Sequence, residues 1–429
     1  MWVETRRKAA IIGLDGVPIE LIRDLTGRDV MPNLKEIMGQ GKLHRMRSSQ
    51  PPNSAVSWTS MVTGENPGVH GVYGFTDFIS GTYNTCYYHT SKLKAKPFWA
   101  RNSDIRSLII NLPASYPAQP LNGVHVSGFV SPSLRNAVYP GTLEETLRSR
   151  GYVIDVEAPE ERADYEVFVK NLSAALQKRV ETAEALMEQH GWDLFFFVVT
   201  GTDRIGHYLW DAYLDRGHPL HYAFLEYYRQ VDEAIGELNR LIGEDTPLMV
   251  LSDHGMGPAK VSLNLNALLV KAGYLETREP AIDHTSVKSG SRAFAAETNK
   301  MYLNSVDRFP AGSVTEEDRE QTLCELRELL MGVFYKGQSV VKRVYTRDEL
   351  YVGPCSERGP DLVVLPDEGF SFKTCLQCDM LFQPDRLSGA HTDDNAFLFL
   401  RGEYDVEIPA GFSIEGSVET LNTVGGLNL

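Results

Sequence analysis

An acid and an imidazole stand side by side in Asp253-His254, just after the apolar run Leu248–Leu251. Such a run is typical of a buried strand, and the two glycines that follow the pair allow the backbone to turn sharply. A carboxylate oxygen and an imidazole nitrogen together suit a divalent metal ion. The plainer alternative is an aspartate that caps a turn beside a surface histidine. Partners elsewhere in the chain must decide between these two interpretations.

Two further segments place metal-binding side chains at the ends of apolar runs. Asp203 and His207 follow the run Trp192–Thr200, which is the strongest buried-strand signal in the chain. If that segment is helical, the two side chains lie one turn apart on one face, as two ligands of one metal should. Asp15 ends the run Ala9–Leu14 in the same way, although a lone aspartate at such a place is more often a helix N-cap.

A serine stands at the predicted start of a short helix. Pro51 and Pro52 keep the chain extended, so the helix begins no earlier than Asn53 or Ser54, and it ends at Gly64. A hydroxyl at that start lies in the positive end of the helix dipole among free backbone N–H groups, which is a favourable place for a phosphate. The alternative is that Ser54 only caps the helix.

Strand and helix patterns alternate along most of the chain. Apolar runs of strand length precede helical patterns such as those over residues 165–190 and 221–243, which predicts an α/β fold with a mostly parallel central sheet and helices on both faces. The pattern is less regular from about 259 to 358. We therefore expect a single catalytic domain over 1–429 with a smaller cap or insertion at roughly 259–358. An aromatic-rich hairpin over residues 71–88 either lines a substrate mouth or packs on the core.

The predicted strand ends bring the polar side chains together. The carboxyl ends of parallel strands lie at one edge of a sheet, where open α/β folds bind their ligands. His391, which we expect in a loop before the last strand, can join them. The resulting set is Asp15, Ser54, Asp203, His207, Asp253, His254 and His391. This is enough for two cations, which at a spacing of about 3.5–4 Å hold the attacking and leaving oxygens of an in-line displacement at phosphorus. A serine bound to one of them becomes a nucleophile.

Length, charge and cysteine content limit the classes of partner and the cellular locations that fit this chain. A chain of 429 residues, 42% of them hydrophobic, can bury a large core, and its net charge of −15 argues against a nucleic-acid backbone as partner. No run approaches the roughly 18 apolar residues that a membrane span requires, and the N-terminus has no signal-peptide pattern. The five cysteines are a sparse, odd set, and we expect Cys375 and Cys378 to be unlinked thiols. These features predict a cytoplasmic protein.

The order of the motifs resembles that of the alkaline phosphatase superfamily. The segments that carry the resemblance are Asp15-Gly, Pro-Pro-Asn-Ser54, Trp58-Thr-Ser, Thr63-Gly64, Asn66-Pro-Gly, His70-Gly71, Thr202-Asp203, Gly206-His207, Ser252-Asp253-His254-Gly-Met-Gly257 and Gly389-Ala-His391. Within the superfamily the chain is most similar to the type I phosphodiesterase/nucleotide pyrophosphatase branch, especially its phosphohydrolase or phosphomutase members. The resemblance extends over nearly the whole chain and implies an alkaline phosphatase-like fold.

The resemblance also implies how the ligands divide between two metal ions. One ion is assigned to Asp203, His207 and His391. The other is assigned to Asp15, Asp253, His254 and the hydroxyl of Ser54. The serine falls where the branch has its nucleophile, which is usually a threonine. Zinc is the expected metal, with manganese and magnesium as alternatives, because aspartate and histidine ligands suit several ions.

Three details bear on the nucleophile and the substrate. Ser57 is the nearest rival nucleophile, but it lies one turn into the helix, away from the free N–H groups. Nucleotide pyrophosphatases carry an asparagine after the His-Gly motif where this chain has Phe75, which argues against nucleotide diesters. The sequence contains no Cys-x-Pro-x-Arg segment, so a sulfatase with a modified nucleophile is not expected.

The leading hypothesis is a two-metal phosphohydrolase that cleaves phosphate mono- or diesters of small molecules through a phosphoserine at Ser54. A phosphotransferase or phosphomutase with the same intermediate is the first alternative, because water and an alcohol need the same machinery. A non-catalytic metal-binding scaffold is the second. The sequence does not assign the substrate-binding residues or the oligomeric state.

Overall fold

The computed structural model describes residues 8–402 and 407–426, so the segment 1–7, which bears on the signal-peptide prediction, lies outside the described residues. The chain divides into two units. Unit 1 comprises Met1–Asn66, His89–Met256 and His391–Leu429. Unit 2 comprises Pro67–Tyr88 and Gly257–Ala390. Unit 2 contains the residues 259–358 that the sequence predicts as a cap or insertion, and it also contains the aromatic-rich hairpin over residues 71–88.

The strands of the structure include the apolar runs of the sequence. In chain order they are β1 (Ala9–Leu14), β2 (Gly41–Met46), β3 (Thr76–Phe78), β4 (Thr85–Tyr87), β5 (Ser107–Leu112), β6 (Gly123–Ser127), β7 (Val138–Tyr139), β8 (Leu194–Val199), β9 (Leu248–Leu251), β10 (Gly255–Asn264), β11 (Ala293–Ala295), β12 (Lys300–Leu303), β13 (Phe334–Tyr335), β14 (Gln338–Ser339), β15 (Val341–Thr346), β16 (Leu362–Pro366), β17 (Gly369–Lys373), β18 (Phe382–Pro384), β19 (Gly389–Thr392) and β20 (Ala396–Arg401). Strands β1, β5, β8 and β9 are buried along their whole length, as expected of strands covered on both faces.

Helices lie in several of the connections between these strands. In chain order they are α1 (Ile19–Gly27), α2 (Pro32–Met38), α3 (Ser54–Thr63), α4 (Pro67–His70), α5 (Glu144–Ser149), α6 (Tyr165–Gln189), α7 (Gly201–Leu214), α8 (His221–Ile242), α9 (Leu265–Lys271), α10 (Glu316–Met331), α11 (Arg347–Leu350) and α12 (Ser417–Gly425). Within residues 8–402 and 407–426, none of the helices combines the length and the apolar character that a membrane crossing needs.

Unit 1 is built on one large sheet with the strand order β2-β20-β9-β1-β8-β5-β6-β7. The central strands β9, β1, β8, β5 and β6 run parallel to one another. At the edges, β2, β20 and β7 are antiparallel to their neighbours. The predicted α/β fold with a mostly parallel central sheet is therefore confirmed.

Helices cover both faces of this sheet. Successive side chains of a strand point to opposite faces, and in β1 the side chains of Ile12 and Leu14 join a core that α1, α6, α7 and α8 complete. Ile11 points to the other face, where it shares a core with Trp58 of α3 and Leu421 of α12. Burial on both faces fixes the strand ends that carry the polar side chains.

Unit 2 contains the antiparallel sheet β11-β12-β16-β15. Strand β10 pairs with β17 in parallel and with β18 in antiparallel orientation, and β3 and β4 form the predicted hairpin. Phe78 of the hairpin packs edge to face against Phe294, Tyr302 and Phe309, at ring-centroid distances of 5.7, 5.1 and 5.3 Å. Of the two roles that the sequence left open for the hairpin, the structure therefore shows packing on the core of unit 2.

The backbone after His254 does not make the glycine turn that the sequence suggested, because strand β10 begins at Gly255. A glycine is needed there for another reason. A Cβ atom at Gly255 would lie 1.7 Å from Oδ1 of Asn395, a distance at which no side chain fits. The backbone does bend in this segment, but at Asp253 and His254 and not at the glycines, and close packing accounts for Gly255.

The prediction of two unlinked thiols in the Cys375–Cys378 segment is also wrong. The two residues form a disulfide, and their Cα atoms are 5.6 Å apart. They lie in the connection between β17 and β18, which curves enough to bring the Cα atoms within the range that a disulfide spans. Spacing along the sequence alone does not reveal this curvature.

Candidate metal centre

Three strand ends place acids at one edge of the central sheet. Asp15 follows β1 directly, Asp203 lies in the first turn of α7 after β8, and Asp253 follows β9. Strands β9, β1 and β8 are parallel neighbours at a spacing of about 4.8 Å, so the three carboxylates meet. The predicted helix that carries Asp203 and His207 is present. His391 lies in strand β19 and not in a loop as predicted.

The first cluster of possible metal ligands consists of Asp203, His207 and His391. Oδ1 of Asp203 lies 3.4 Å from Nε2 of His207 and 3.2 Å from Nε2 of His391. The two imidazole nitrogens are 2.8 Å apart. A tetrahedral zinc ion with bonds of about 2.0–2.1 Å separates its ligand atoms by about 3.3 Å, so the three atoms are spaced as ligands of one ion.

The second cluster is buried and consists of Asp15, Asp253 and His254. Nε2 of His254 lies 3.7 Å from Oδ1 of Asp15 and 3.4 Å from Oδ2 of Asp253. The hydroxyl of Ser54 lies 3.1 Å from Oδ1 of Asp15 and 3.1 Å from Nε2 of His254. The serine oxygen is therefore positioned as a fourth member of this cluster.

The two clusters adjoin at Asp203 and His254, whose Oδ1 and Nε2 atoms are 3.9 Å apart. Two-metal sites hold their ions close together, and the two clusters are adjacent as such a site requires. The structure thus brings together all seven residues that the sequence singled out, and all seven belong to unit 1.

Backbone carbonyls orient two of the imidazoles. Nδ1 of His254 donates to the carbonyl oxygen of Gly255 at 2.9 Å, and Nδ1 of His391 donates to that of Pro52 at 2.9 Å. We assign the ring proton to Nδ1 in both residues, which leaves each Nε2 lone pair directed at the cluster. The sequence did not indicate these carbonyl partners.

Gly16 and Trp58 hold two of the carboxylates. The N–H of Gly16 donates to Oδ1 of Asp253 at 3.1 Å, and Nε1 of Trp58 donates to Oδ2 of Asp15 at 3.1 Å. Gly16 has a φ of 68°, in the left-handed region, and a Cβ there would lie 2.8 Å from Oδ1 of Asp203. Only glycine satisfies both conditions. Both residues lie in the sequence motifs, but their contacts are visible only in the fold.

Two carboxylate oxygens of the site are buried without a hydrogen-bond partner in the described part of the chain, Oδ1 of Asp203 and Oδ2 of Asp253. Buried acceptors without donors are costly and rare, and a cation beside each oxygen would satisfy it. The donor set of three carboxylates, three imidazoles and one hydroxyl fits divalent ions that accept mixed nitrogen and oxygen ligands.

Burial and mutual repulsion shift the pKa values of this group. Burial, and then the charges of Asp253 and Asp203, raise the pKa of Asp15 well above its usual value. Burial also raises the pKa of Asp253 to about 7 and lowers that of His254 to about 3. Burial disfavours the charged form of Asp203, but the neighbouring imidazoles outweigh it and hold the pKa below its usual range. Three ionised carboxylates this close repel one another, and positive charge between them would relieve the repulsion.

Ser54 is the first residue of α3, and Asn53 is its N-cap. Oδ1 of Asn53 accepts the N–H of Ala55 at 2.9 Å, so the structure does not support the alternative in which Ser54 only caps the helix. Ser57 is fully buried, and its Oγ has no hydrogen-bond partner among the residues that the structure describes. Of the two serines, only Ser54 contacts the cluster.

Residues 9–394 match the model of the type I phosphodiesterase / nucleotide pyrophosphatase family. The chain belongs to this family. It is accordingly a hydrolase of phosphoric esters from a metal-dependent family, and the predicted relation to the alkaline phosphatase superfamily is confirmed. This classification also argues against the non-catalytic scaffold. No curated protein sequence matches the chain significantly.

Solved structures share the fold at low sequence identity. Phosphonoacetate hydrolase from Sinorhizobium meliloti, in complex with phosphonoformate, has a TM-score of 0.69 and 17% identity, with 98% of this chain and 96% of that chain covered. Murine ectonucleotide pyrophosphatase / phosphodiesterase 5 has a TM-score of 0.59 and 16% identity, with 98% of this chain and 95% of that chain covered. An inactive variant of the murine protein, in complex with AMP, gives a TM-score of 0.58.

Proposed function

We propose that the protein hydrolyses phosphate mono- or diesters of small molecules with two divalent metal ions and with Ser54 as the nucleophile. The observation that carries the proposal is the position of the Ser54 hydroxyl, 3.1 Å from both Oδ1 of Asp15 and Nε2 of His254. An oxygen this close to two possible ligand atoms can share their cation. Membership of a phosphodiesterase family supports the class of reaction.

The proposed ligands divide between two ions. One ion would be held by Asp203, His207 and His391. The other would be held by Asp15, Asp253, His254 and Ser54. When bound, the ions supply positive charge that makes the serine hydroxyl easier to ionise and that offsets negative charge developing on the phosphoryl oxygens. The partnerless oxygens of Asp203 and Asp253 support one ion at each cluster.

The proposed reaction has two displacements at phosphorus. In the first, the oxygen of Ser54 loses its proton and forms a bond to phosphorus while the bond to the leaving oxygen breaks, and that oxygen departs as the alcohol with a proton that balances the one lost by Ser54. In the second, a water oxygen forms a bond to phosphorus, the bond to Ser54 breaks, and the serine is restored with its proton. Because Ser54 opens α3, the N–H groups of the first helical turn lie beside its hydroxyl and can bind phosphoryl oxygens.

Zinc is the proposed metal, because three imidazoles suit a borderline ion better than a hard one such as magnesium. Small phosphate esters are the proposed substrates. Phosphonates and nucleotides belong in the substrate panel as well, since one structural neighbour is a phosphonoacetate hydrolase and another was solved with AMP. Metal analysis of the purified protein tests the first proposal, and release of phosphate or alcohol across the panel tests the second.

We also propose a cytoplasmic location, based on the low content of five cysteines in 429 residues. The Cys375–Cys378 disulfide argues in the opposite direction, because such bonds are rare in reducing compartments. Cell fractionation decides between a cytoplasmic location and another compartment, and recovery of the protein outside the cytoplasm would overturn the proposal.

Replacement of Ser54 by alanine tests the proposed nucleophile. Ser54→Ala should turn over 4-nitrophenyl phosphate and its bis ester at least about 1,000-fold more slowly than the wild type. Its metal content should stay near two ions per chain, since six side-chain ligands remain. Ser57→Ala removes a hydroxyl from the same helix and should keep wild-type rates. Undiminished turnover in Ser54→Ala would overturn the assignment.

A further inference from the structure

A cleft lies wholly within unit 2 and has a volume of about 460 Å³. It is enclosed by the turn of the β3–β4 hairpin, the loop after β12, the start of α10 and the segment before β16. Its lining shares no residue with the candidate metal centre. Any ligand of this cleft is therefore bound by a different set of side chains.

Four arginines line the cleft: Arg308, Arg319, Arg347 and Arg358. Two of them share one carboxylate, that of Asp361, which is 3% exposed. Its Oδ1 lies 2.6 Å from Nη1 of Arg319 and 3.7 Å from Nη1 of Arg347. Its Oδ2 accepts the backbone N–H of Leu303 at 2.9 Å. One buried carboxylate thus faces two guanidinium groups.

Arg308 has no carboxylate partner within the described residues. Its Nη1 donates to the carbonyl oxygen of Gly359 at 2.7 Å, and its Nη2 donates to that of Arg358 at 2.5 Å. Its guanidinium also lies 4.8 Å from the ring centroid of Tyr302. Arg358 in turn pairs with Asp77. These contacts fix the guanidinium of Arg308 at the cleft without neutralising its charge.

The inner lining of the cleft therefore has four guanidinium groups but only two enclosed carboxylates, those of Asp77 and Asp361. Three further acids line the cleft: Asp307, Glu316 and Glu357. All three are exposed, where water and salt screen their charges. Glu357 nevertheless pairs with Arg347, whose Nη2 lies 2.8 Å from Oε2 of the glutamate. In addition, Nη2 of Arg319 is buried and has no hydrogen-bond partner among the described residues. Arg308 therefore brings a positive charge that no carboxylate of the described residues pairs with, and Arg319 brings a buried N–H group without an acceptor.

We infer that this cleft binds the phosphate group of a small organic phosphate monoester. Guanidinium groups bind phosphate through paired N–H donors. A phosphate monoester carries a charge of about −1.5 to −2 near neutral pH, and it would give Arg308 the anionic partner that the carboxylates of the protein do not supply. Phe78 and Phe309 also line the cleft, with their ring centroids 5.3 Å apart, and they give the organic part an apolar wall. The inference does not depend on catalysis at Ser54.

Hydrogen exchange of the intact, metal-loaded protein locates the bound anion. Phenylphosphonate is the probe, because it carries a dianionic head and an aromatic ring and has no ester bond to hydrolyse. It should slow backbone exchange in segments 77–82, 303–319 and 357–361. Arg308→Gln should raise the probe concentration needed for half-maximal protection at least about tenfold. Arg327→Gln alters an arginine of α10 that pairs with Glu349 outside the cleft. In this variant the probe should slow backbone exchange in the three segments as much as in the wild type.

Two further probes define the anion. Phenylacetate has the ring with a single negative charge and should protect the segments far less. Inorganic phosphate that protects as well as phenylphosphonate supports the site and identifies the free ion as its ligand. Arg358→Gln is a second variant, and thermal unfolding shows which variants are folded. Protection absent from the three segments, or unchanged in a folded Arg308→Gln or Arg358→Gln variant, overturns the inference whatever happens around Ser54.

Discussion

The hydroxyl of Ser54 lies 3.1 Å from Nε2 of His254, and the two residues are 200 positions apart in the sequence. Ser54 opens helix α3, which packs through Trp58 on one face of the central sheet, and His254 follows strand β9 of that sheet. The contact therefore depends on how α3 is seated on the sheet. Substitutions that disturb this seating should affect the reaction even when they leave the seven proposed catalytic and metal-binding residues unchanged.

Gly16→Ala should weaken metal binding. A Cβ at this position would lie 2.8 Å from Oδ1 of Asp203, and the φ of 68° costs an alanine about 1 kcal/mol. Because Asp203 must move, we expect fewer bound ions per chain and a loss of about 100-fold in kcat/KM for an aryl phosphate. Elemental analysis and steady-state kinetics measure both. Gly27→Ala is the control, because its Cβ would meet nothing within 4 Å. Normal metal content in Gly16→Ala would contradict the account.

Trp58→Phe should lower activity while preserving most of the packing. The substitution keeps an aromatic ring in the core but removes the N–H that donates to Oδ2 of Asp15 at 3.1 Å. We expect about tenfold slower turnover and a loss of about 1 kcal/mol in the free energy of unfolding. Trp99→Phe alters a tryptophan of the same core that lies outside the candidate site, so its turnover should be unchanged. Equal kinetics in the two variants would show that the indole hydrogen bond has no role in turnover.

Asp253→Asn should have opposite effects on the metal-loaded and metal-free proteins. Without ions, the buried carboxylates of Asp15, Asp203 and Asp253 repel one another, so removal of one charge should raise the Tm of the metal-free protein at pH 8 by about 2 °C. With ions, the loss of a ligand should lower both metal content and Tm. Asp193→Asn removes a buried carboxylate that pairs with Arg106 and should lower Tm in both states. A fall in Tm for metal-free Asp253→Asn would contradict the repulsion.

His125 should make stability fall in mild acid. Burial lowers the pKa of His125 to about 4, against about 6.5 in the unfolded chain. Between these values the unfolded state binds the proton and the folded state does not, so stability is lost as the pH falls from 6.5 towards 4, by at most about 3 kcal/mol. Chemical denaturation at several pH values measures the slope. His125→Gln should have a shallower slope, and an unchanged slope would rule out this contribution.

The acids of the site were predictable because a strand buried on both faces is a continuous apolar run, and the sequence shows where that run ends and polar residues begin. Asp15, Asp203 and Asp253 each stand at or near such an end. The neighbour order β9-β1-β8, which makes the three carboxylates meet, is not visible in the same way. It depends on pairing between segments that are far apart in the chain, and only the resemblance to a known family supplied it in advance.

Local choices between similar residues could not be made from the sequence. Asn53 and Ser54 are both good cap residues, and only the backbone geometry shows that Asn53 is the cap and Ser54 the first helical residue. The bond from Trp58 to Asp15 joins an element on one face of the sheet to the end of a strand. Contacts of this kind depend on how elements pack, which a pattern along one chain does not encode.

The most direct test of the account is to find where a phosphoryl group resides during turnover. The wild-type protein is mixed with a phosphate ester, quenched in acid within one turnover, digested and mapped by mass spectrometry. The account predicts a phosphoryl group on the peptide that contains Ser54, with the label on Ser54 itself. Ser57→Ala should give the same peptide label, and Ser54→Ala should give none. A label on another residue, or no labelled peptide while the ester is consumed, would contradict the account.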